Sequence, residues 1–405
     1  MAILIDNLFA SVILGHLWAD LLNGQLGIIL AYLSTPLGLS NAVIGLVITG
    51  YMVTQSVAQP VAGYLTDRIG PRWLVSGGLL WMGLFFSLAA LIHGPASLVL
   101  LVIASLGSGA LHPAGSSQVT LLGKVHLQGR ETTAASYFFV AGQFGFFFGP
   151  LLGGPLLQRF GLPGIMPLIL ACLPVGAFSG WQLKSALRTH PVQREPGSSR
   201  GSLLPRPVVS GWIVAALVGV AAFQSFLSSN ISTYIPKYLS DLGQPAGTYG
   251  LITALFMAGS GIGMLSGGIL GDRFSRRGVI TVSLLAASLP VYVIGVTGFS
   301  PWLYGMILLA GIFNGAANTS IFVTSQKMFP GSTGLASGLI LAFMFSSGAV
   351  GTLLCGHLAD AVGFPPVFML TAACLLLGGF LGLALREPVP QLAESSPLQA
   401  DYGKE

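Results

Sequence analysis

The segment Gly63-Tyr-Leu-Thr-Asp67-Arg68-Ile-Gly-Pro-Arg72 occurs twice in the chain in related form. The second copy, Gly268-Ile-Leu-Gly-Asp272-Arg273-Phe-Ser-Arg-Arg277, begins 205 residues later and keeps the first Gly, the Asp, the next Arg and the last Arg. A second match has an offset of 202 residues: Gly149, Gly154, Gly161 and Pro163 recur as Gly351, Gly356, Gly363 and Pro365. The chain therefore contains one unit written twice.

Composition decides the class of protein. The 405 residues include 17 Lys and Arg and 12 Asp and Glu, so 7% are charged, whereas soluble proteins carry about 25%. Hydrophobic residues make up 53%, and the mean hydropathy is +0.81. So few charges cannot cover a water-exposed surface, which excludes a soluble enzyme, a nucleic-acid binder and a disordered chain. Apolar runs of about 20 residues indicate membrane helices and not the alternating strands of a barrel.

Twelve such runs fit between residues 8 and 386, six in each unit. We predict an all-α integral membrane protein with twelve transmembrane helices in two pseudo-symmetric six-helix bundles. Since six is even, both units have the same orientation, and a substrate site is expected between them near the midplane. The predicted domains are an N-terminal bundle (1–187), a cytoplasmic linker (188–207), a C-terminal bundle (208–386) and a disordered cytoplasmic tail (387–405).

The basic residues predict the orientation. With twelve spans, all but two of the 17 Lys and Arg fall on the side that holds both termini, and the exceptions are Arg159 and Lys237. Because cytoplasmic loops are enriched in Lys and Arg, we expect both termini in the cytoplasm. We also expect a monomer in the inner (plasma) membrane. It should contact the lipid bilayer and bind no nucleic acid. Three cysteines, all within apolar runs, are read as small core residues.

The repeated loop segment resembles the major facilitator superfamily, and the resemblance covers residues 1–386. The stretch from Gly145 to Gly154 resembles the antiporter signature of drug/proton exporters, and the stretches His16–Gly24 and Leu111–Pro113 resemble the fosmidomycin-resistance branch. Small residues at four-residue spacing allow close helix packing. The resemblance implies that span 5 packs on span 8, whose small residues are Gly259, Gly261, Gly263 and Gly267. The antiporter motif comprises Gly145, Gly149, Pro150, Gly153 and Gly154.

The repeated loops are candidate gates. The carboxylate of Asp67 can accept hydrogen bonds from the free N–H groups at the start of another helix. The resemblance implies that this helix is span 11, and that Asp272 does the same at span 5. Gly63, one turn before Asp67, would let the two helices approach closely, and Gly268 stands at the same position before Asp272. The contact would form when the cytoplasmic side closes and break when it opens. The alternative is a basic loop with no moving part. The gate set comprises Gly63, Asp67, Arg68, Arg72, Gly268, Asp272, Arg273 and Arg277.

Asp20 is an acid deep within a predicted span. A charge there costs about 2.5–3.5 kcal/mol on an insertion scale, so such residues face the protein interior and usually have a function. His16 and Asn23 share its helical face. The resemblance implies that spans 1 and 4 both line the cavity of the N-terminal half, so we expect His112 in span 4 to face Asp20. We predict that Asp20, His112 and His16 couple transport to protons. The alternatives are a direct substrate contact and an acid that only holds helices together.

Other polar and aromatic side chains are candidates for the substrate cavity. The aromatic candidates for an apolar wall are Tyr51, Tyr137, Phe138, Phe223, Tyr234 and Phe343. We also expect an outer pair between Asp360 and Arg159, and no metal site. The amide candidates can either bind substrate or bridge helices, and they are Asn23, Gln55, Gln143, Asn230, Asn314 and Asn318.

The sequence favours a transporter and not an enzyme, because it has no Walker loop and no Ser-His-Asp set with plausible spacing. Two gate motifs also argue against a static channel or scaffold. We predict proton-coupled efflux of a small amphipathic molecule or drug by alternating access, powered by the proton gradient without a cofactor. The alternative is a proton symporter or uniporter that imports a small nutrient such as a sugar, carboxylate or vitamin.

Overall fold

A computed structural model of the chain describes residues 6–92, 94–126, 131–189, 210–328 and 333–385. Within these ranges, the side chains of residues 67, 124–126, 131–133, 185–189, 326–328 and 333–341 lie outside the description. The described chain is helical throughout, and twelve helical stretches are long and apolar enough to cross a membrane. The predicted fold class is confirmed.

The helices match the predicted spans closely, and several run a few residues longer. They are α1 (Asn7–Leu37), α2 (Asn41–Ile69), α3 (Pro71–Leu91), α4 (Ala96–His126), α5 (Glu131–Phe160), α6 (Cys172–Thr189), α7 (Gly211–Asp241), α8 (Ala246–Arg273), α9 (Arg276–Thr297), α10 (Trp302–Met328), α11 (Thr333–Val362) and α12 (Phe364–Gly382).

The sixth span is broken where the others are continuous. A 3₁₀ turn (Leu162–Ile165) and a short helix (Met166–Leu170) precede α6. Pro174 has no N–H to give to the carbonyl of Leu170, four residues earlier, which accounts for a break at this point. At its other end α6 continues through Thr189, two residues into the segment predicted as linker. The rest of that linker and the tail 387–405 lie outside the described residues, so the domain limits stay a prediction.

The two halves meet through a symmetric set of helix pairs. We call the side where α1 begins and α12 ends the terminal side, and the opposite side the far side. Between the halves, α2 packs on α11, α5 packs on α8, and α1 packs on α7. Because α8 repeats α2 and α11 repeats α5, the first two contacts are copies of one another. The third contact joins the C-terminal parts of α1 and α7.

Contacts between the halves concentrate toward the far side. The Thr49 hydroxyl donates to the carbonyl of Ala349 at 2.8 Å, and the Ser240 hydroxyl donates to the carbonyl of Ala31 at 3.1 Å. Closest of all is α1 against α7, because a Cβ built on Gly27 would lie 2.2 Å from the carbonyl oxygen of Ser232. In the described chain the far side is therefore closed.

Toward the terminal side the contacts are looser. The rings of Phe139 in α5 and Phe322 in α10 are 6.2 Å apart, and Gln143 contacts Met264 across the halves. A Cβ built on Gly63 would meet no described atom within 4 Å, and one on Gly268 would meet only Thr319 of its own half, at 3.7 Å. The close helix approach expected at these two gate glycines is absent from the described contacts in this conformation.

The glycines of α8 correct one expectation. A Cβ on Gly263 would lie 1.9 Å from the carbonyl oxygen of Ile312, and one on Gly259 would lie 2.3 Å from that of Leu308. Both glycines therefore pack against α10 within their own half and not against α5. The α5–α8 contact that the resemblance implies is present. The glycine spacing in α8 predicted the wrong residues for that contact, because spacing does not say which neighbouring helix a face meets.

The α8–α10 packing predicts different outcomes at two neighbouring glycines. Gly263→Val would force a side chain into the backbone of Ile312, and overpacking of this kind costs about 1–3 kcal/mol. Gly261→Val is the matched control, because a Cβ on Gly261 meets no described atom within 4 Å and the change in helix propensity is the same. We expect a lower midpoint of thermal unfolding in detergent for Gly263→Val than for Gly261→Val. Equal midpoints would contradict the packing.

Candidate functional site

Three ionisable side chains meet in the N-terminal half, as the sequence predicts. The Asp20 carboxylate lies between two imidazoles: Oδ2 is 3.1 Å from His16 Nε2, and Oδ1 is 3.3 Å from His112 Nε2. The two rings are edge to face, with centroids 4.9 Å apart. His16 and Asp20 are one helical turn apart on α1 and His112 comes from α4, so the cluster joins two helices.

The second ring nitrogen of each histidine is bound to the backbone. His16 Nδ1 lies 2.7 Å from the carbonyl oxygen of Phe138, and His112 Nδ1 lies 2.7 Å from that of Ser108. A carbonyl oxygen can only accept, so both Nδ1 atoms must carry a hydrogen. Phe138 also stacks on the His16 ring, with centroids 3.7 Å apart. Both Nε2 atoms are thereby aimed at the carboxylate.

An amide and a phenol hold the carboxylate from the other direction. Asn23 Nδ2 donates to Asp20 Oδ1 at 2.9 Å and to Ser108 Oγ at 3.0 Å. Tyr51 of α2 donates its hydroxyl hydrogen to Asn23 Oδ1 at 2.5 Å. An ionised carboxylate can only accept, so the Asn23 nitrogen faces Asp20 and the Asn23 oxygen faces the Tyr51 hydroxyl. Oδ1 of Asp20 is thus tied to α2 through Asn23.

A glycine in α5 makes room for the cluster. A Cβ built on Gly142 would lie 2.4 Å from Asp20 Oδ2 and 2.6 Å from His16 Cε1, so any side chain there would displace the pair. One turn further, a Cβ on Gly145 would lie 2.3 Å from the carbonyl oxygen of Leu17. The α5 backbone therefore packs directly on α1 at the level of the acid, and this close packing excludes lipid and water from that face.

Burial differs among the three residues. Asp20 is 4% exposed and His16 is 2% exposed, while the His112 side chain is 23% exposed. His112 is therefore the member through which solvent or a solute can reach the carboxylate.

The contacts set the number of protons that the cluster holds. Each of the two Nε2···O contacts needs one hydrogen, because otherwise a nitrogen lone pair faces a carboxylate lone pair. The carboxyl group can supply only one, so at least one imidazole must be charged when both contacts are hydrogen bonds. Loss of one proton leaves one contact without a hydrogen. The three side chains therefore form one hydrogen-bonded unit.

The same three residues are the one group of metal-type donors found in the described part of the chain, with donor atoms within 4.8 Å of one another. Both nitrogen-to-oxygen contacts are at hydrogen-bond distance, an arrangement that hydrogen bonds alone account for. The cysteines do not contribute: Cys172 and Cys355 are buried and Cys374 is half-buried, all as free thiols.

The C-terminal half has a neutral counterpart of the cluster. Gln224 Nε2 donates to Asn314 Oδ1 at 2.8 Å, in a fully buried pair between α7 and α10. Asn314 follows His112 by 202 residues and Gln224 follows Asp20 by 204, which are close to the repeat offsets. The two halves therefore place a polar pair at matching positions, ionisable in one half and neutral in the other.

The amides predicted to line a cavity separate into two groups. Asn23 belongs to the cluster, Gln143 lies between the halves, and Asn318 is half-buried. Asn230 is 0% exposed and donates to Cys355 Sγ and Thr371 Oγ1 inside its own half, so in this conformation it bridges helices and does not line the cavity. Asn314, as above, and Gln55 are also buried. A buried amide needs a partner, and helix packing supplies one as readily as a ligand does.

The candidate gate residues occupy the terminal side. Arg68 lies over the Tyr64 ring and Arg72 over the Trp73 ring, at 5.0 and 4.8 Å. Asp272 accepts a hydrogen bond from Arg276, one turn further along the chain. The Asp67 side chain lies outside the described residues, as do those of the expected partners at the starts of α5 and α11. Arg273 and Arg277 remain predictions as gate residues.

The antiporter motif packs mainly within its own half. Gly145 and Gly149 face the backbone of α1, and Gly153 faces Gln25 and Ile28. Only the far-side end of the motif reaches the other half: a Cβ on Gly154 would lie 2.6 Å from the carbonyl oxygen of Ala246, and one on Gly250 would lie 2.5 Å from that of Pro150.

The sequence missed part of the site. Tyr51 and Phe138 were candidates for an apolar wall, but the structure brings them into the polar cluster. Ser108 and Gly142 were not expected there at all. Ser108 lies four residues before His112 and could have been found by helical spacing, whereas nothing in the sequence relates Gly142 to Asp20.

Gly142 gives a direct prediction about the cluster. Gly142→Ala should push the carboxylate and the His16 ring apart, so the nitrogen NMR signals of the His16 and His112 rings should change in labelled protein. Gly77→Ala is the control, because a Cβ on Gly77 meets no described atom within 4 Å. Histidine signals that are the same in both variants would contradict the geometry.

Comparison with known proteins gives the family. A family model described as the Major Facilitator Superfamily matches residues 12–245 and 217–401. The chain is 27% identical over 384 residues to the fosmidomycin resistance protein of Escherichia coli (strain K12), covering 92% of this chain and 91% of the relative. It is 25% identical over 267 residues to the multidrug efflux pump Tap of Mycobacterium tuberculosis, covering 64% and 62%.

A solved structure shows the same fold. The crystal structure of the nucleoside transporter NupG superimposes with a TM-score of 0.72 at 15% sequence identity, covering 93% of this chain and 99% of that chain. With twelve candidate membrane spans, two repeated bundles and a family match across both of them, the chain is a multi-pass membrane transporter that belongs to the major facilitator superfamily.

Proposed function

We propose that the protein exports a small amphipathic molecule or drug in exchange for protons, by alternating access. The observation that carries this proposal is the cluster of Asp20, His16 and His112, which is buried in the membrane domain and whose contacts depend on bound protons. Buried ionisable residues in membrane spans are costly and are usually retained for a function. A proton relay is the function that this donor and acceptor set fits best.

The cluster provides a path between solvent and a buried acid. His112 is partly exposed and touches Asp20, while His16 and Asn23 hold the acid from the buried side. A proton that enters at His112 can reach the carboxylate without a large side-chain movement, because the nitrogen and oxygen are 3.3 Å apart. The protonation state then alters the charge at the interface between α1, α4 and α5.

The closed far side supports alternating access. The charge distribution predicts that the terminal side is cytoplasmic, so the described conformation is closed to the outside. In an export cycle this state takes substrate from the cytoplasm, and a second state exposes Asp20 to the outside for proton uptake. Asp67 and Asp272 act as cytoplasmic gates that form in that second state, which fits the absence of described close contacts at Gly63 and Gly268 here.

Export is favoured over import by the relatives. One relative is named for resistance to fosmidomycin and another as a multidrug efflux pump, and export is the transport direction that fits both names. The alternative, import of a nutrient in symport with protons or as a uniport, is supported by the fold shared with a nucleoside transporter. That likeness is at 15% sequence identity and concerns the fold alone, so we place export first.

Transport in everted membrane vesicles tests both export and coupling. The probes are fosmidomycin and, separately, the lipophilic cation ethidium. We expect an acid-inside gradient to drive accumulation of at least one probe, and an uncoupler to abolish it. Asp20→Asn keeps the shape of the side chain but cannot exchange a proton, so gradient-driven accumulation should be lost while exchange of preloaded probe continues. Asp241→Asn, in the far-side pair with Lys237, should transport normally.

Two outcomes would contradict the proposal. Undiminished gradient-driven accumulation in Asp20→Asn would remove the acid from the coupling mechanism. Greater retention of these compounds in intact cells that express the protein would exclude export of them and favour import.

The cytoplasmic gate is tested by Asp67→Asn. Loss of the charge should weaken the interaction of this side chain with a helix N-terminus, which contributes about 0.3–1 kcal/mol at exposed sites. We expect a lower turnover rate with an unchanged KM and an unchanged preference among probes. The neighbouring Thr66→Val is the control, because Thr66 bonds only to the carbonyl of Ala62 in its own helix. A changed probe preference at normal turnover would contradict a gating role.

A further inference from the structure

We propose that Asp360 and Gln158 form a second gate, on the far side, that holds the two halves together in the conformation described. The inference rests on the proposed alternating access, since a closed far side must later open. The gate uses the same chemistry as the one predicted for Asp67, an acceptor at the end of one helix and the free amides at the start of another. Its residues lie at the opposite membrane surface.

Asp360, in α11 of the C-terminal half, caps the N-terminus of α2 in the N-terminal half. Its Oδ1 accepts from the amide of Asn41 at 2.8 Å, and its Oδ2 accepts from the amide of Ala42 at 2.9 Å. The Ser40 hydroxyl accepts from the next amide, that of Val43, at 3.3 Å. The first amides of a helix have no partner within it, so α2 obtains two of its cap bonds from α11.

Gln158 forms the matching contact at α8. Its Oε1 accepts from the amide of Gly247 at 3.1 Å. A Cβ on Gly247 would lie 2.5 Å from that oxygen, so the contact requires the glycine. This bond joins the end of α5 to the start of α8, again across the two halves.

The two contacts are related by the internal repeat. Asp360 follows Gln158 by 202 residues, the offset of α5 and α11, and Gly247 follows Ala42 by 205 residues, the offset of α2 and α8. The packing beside each contact repeats as well: a Cβ on Gly154 would meet the carbonyl oxygen of Ala246 at 2.6 Å, and one on Gly356 would meet that of Asn41 at 2.5 Å. A contact made twice at equivalent positions is unlike an accidental surface bond.

The two arms differ in charge. The carboxylate of Asp360 makes two charge-assisted bonds and also interacts with the positive end of the α2 dipole, whereas the neutral amide of Gln158 makes one bond. The α11–α2 arm should therefore contribute more to closure. The expected pair between Asp360 and Arg159 does not form, because Asp360 caps α2 and the Arg159 guanidinium lies over the Phe160 ring at 5.6 Å.

Distance measurements between the halves test this gate. Spin labels are placed on the full-length protein at Ala96→Cys, the first residue of α4, and at Phe299→Cys, between α9 and α10, both on the far side but in different halves. Cys374→Ser is the background. We expect Asp360→Asn to raise the ratio of far-side-open to far-side-closed molecules about fivefold, the effect of losing one charge–dipole interaction. Gln158→Glu adds a carboxylate at the α8 start and should lower the same ratio.

Asp241→Asn is the matched control, because it removes an exposed far-side carboxylate that bonds only within α7, and it should leave the ratio unchanged. The measurement uses no substrate and no proton gradient. A negative result would therefore overturn the far-side gate without affecting proton-coupled export, and loss of the export proposal would leave this result intact. The proposal would be overturned if Asp360→Asn had the same ratio of far-side-open to far-side-closed molecules as the labelled protein that keeps Asp360. If that variant does not fold, an open fraction in Gln158→Glu that fails to fall would overturn it.

Discussion

Every polar group buried in a membrane domain must find its partner inside the protein, and Asp20 is where this constraint acts most strongly. Its carboxylate reaches partners from three helices: His16 and Asn23 in its own helix, His112 in α4, and Tyr51 in α2 through Asn23. The α5 backbone must then pass close by, which only a glycine at position 142 allows. The packing of the N-terminal half is thus arranged around one acid.

The two copies of the internal repeat differ in the charge of their side chains at equivalent positions. At mid-membrane, the ionisable pair of Asp20 and His112 in one half corresponds to the neutral pair of Gln224 and Asn314 in the other. At the far side, the charged cap made by Asp360 corresponds to the neutral cap made by Gln158. Two copies with the same backbone positions therefore carry different electrostatics. Among the described residues, the equivalent mid-membrane positions hold ionisable side chains in the N-terminal half and neutral amides in the C-terminal half.

The long helices, their number and the repeat follow from hydropathy and from matching segments, because the bilayer demands about 20 apolar residues per span whatever packs beside them. The same scarcity of charge singled out Asp20, and helical spacing placed His16 and Asn23 beside it. Helix spacing could not assign neighbours. It placed Gly263 against α5 when it faces α10, because periodicity gives a face without saying what lies opposite. The positions of Asp360 and Arg159 near the outer ends of their spans suggested a pair, but that depth does not show that Asp360 caps α2.

The sequence by itself determined the membrane class, the twelve helices, the twofold repeat and the acid that lies deep within a span. Tertiary structure alone decided which groups meet that acid, since Tyr51, Phe138 and Gly142 lie far from it along the chain. It also decided that the far side is closed. Closure depends on distances between residues some 300 positions apart, such as Asn41 and Asp360, and those distances arise from how two similar bundles dock.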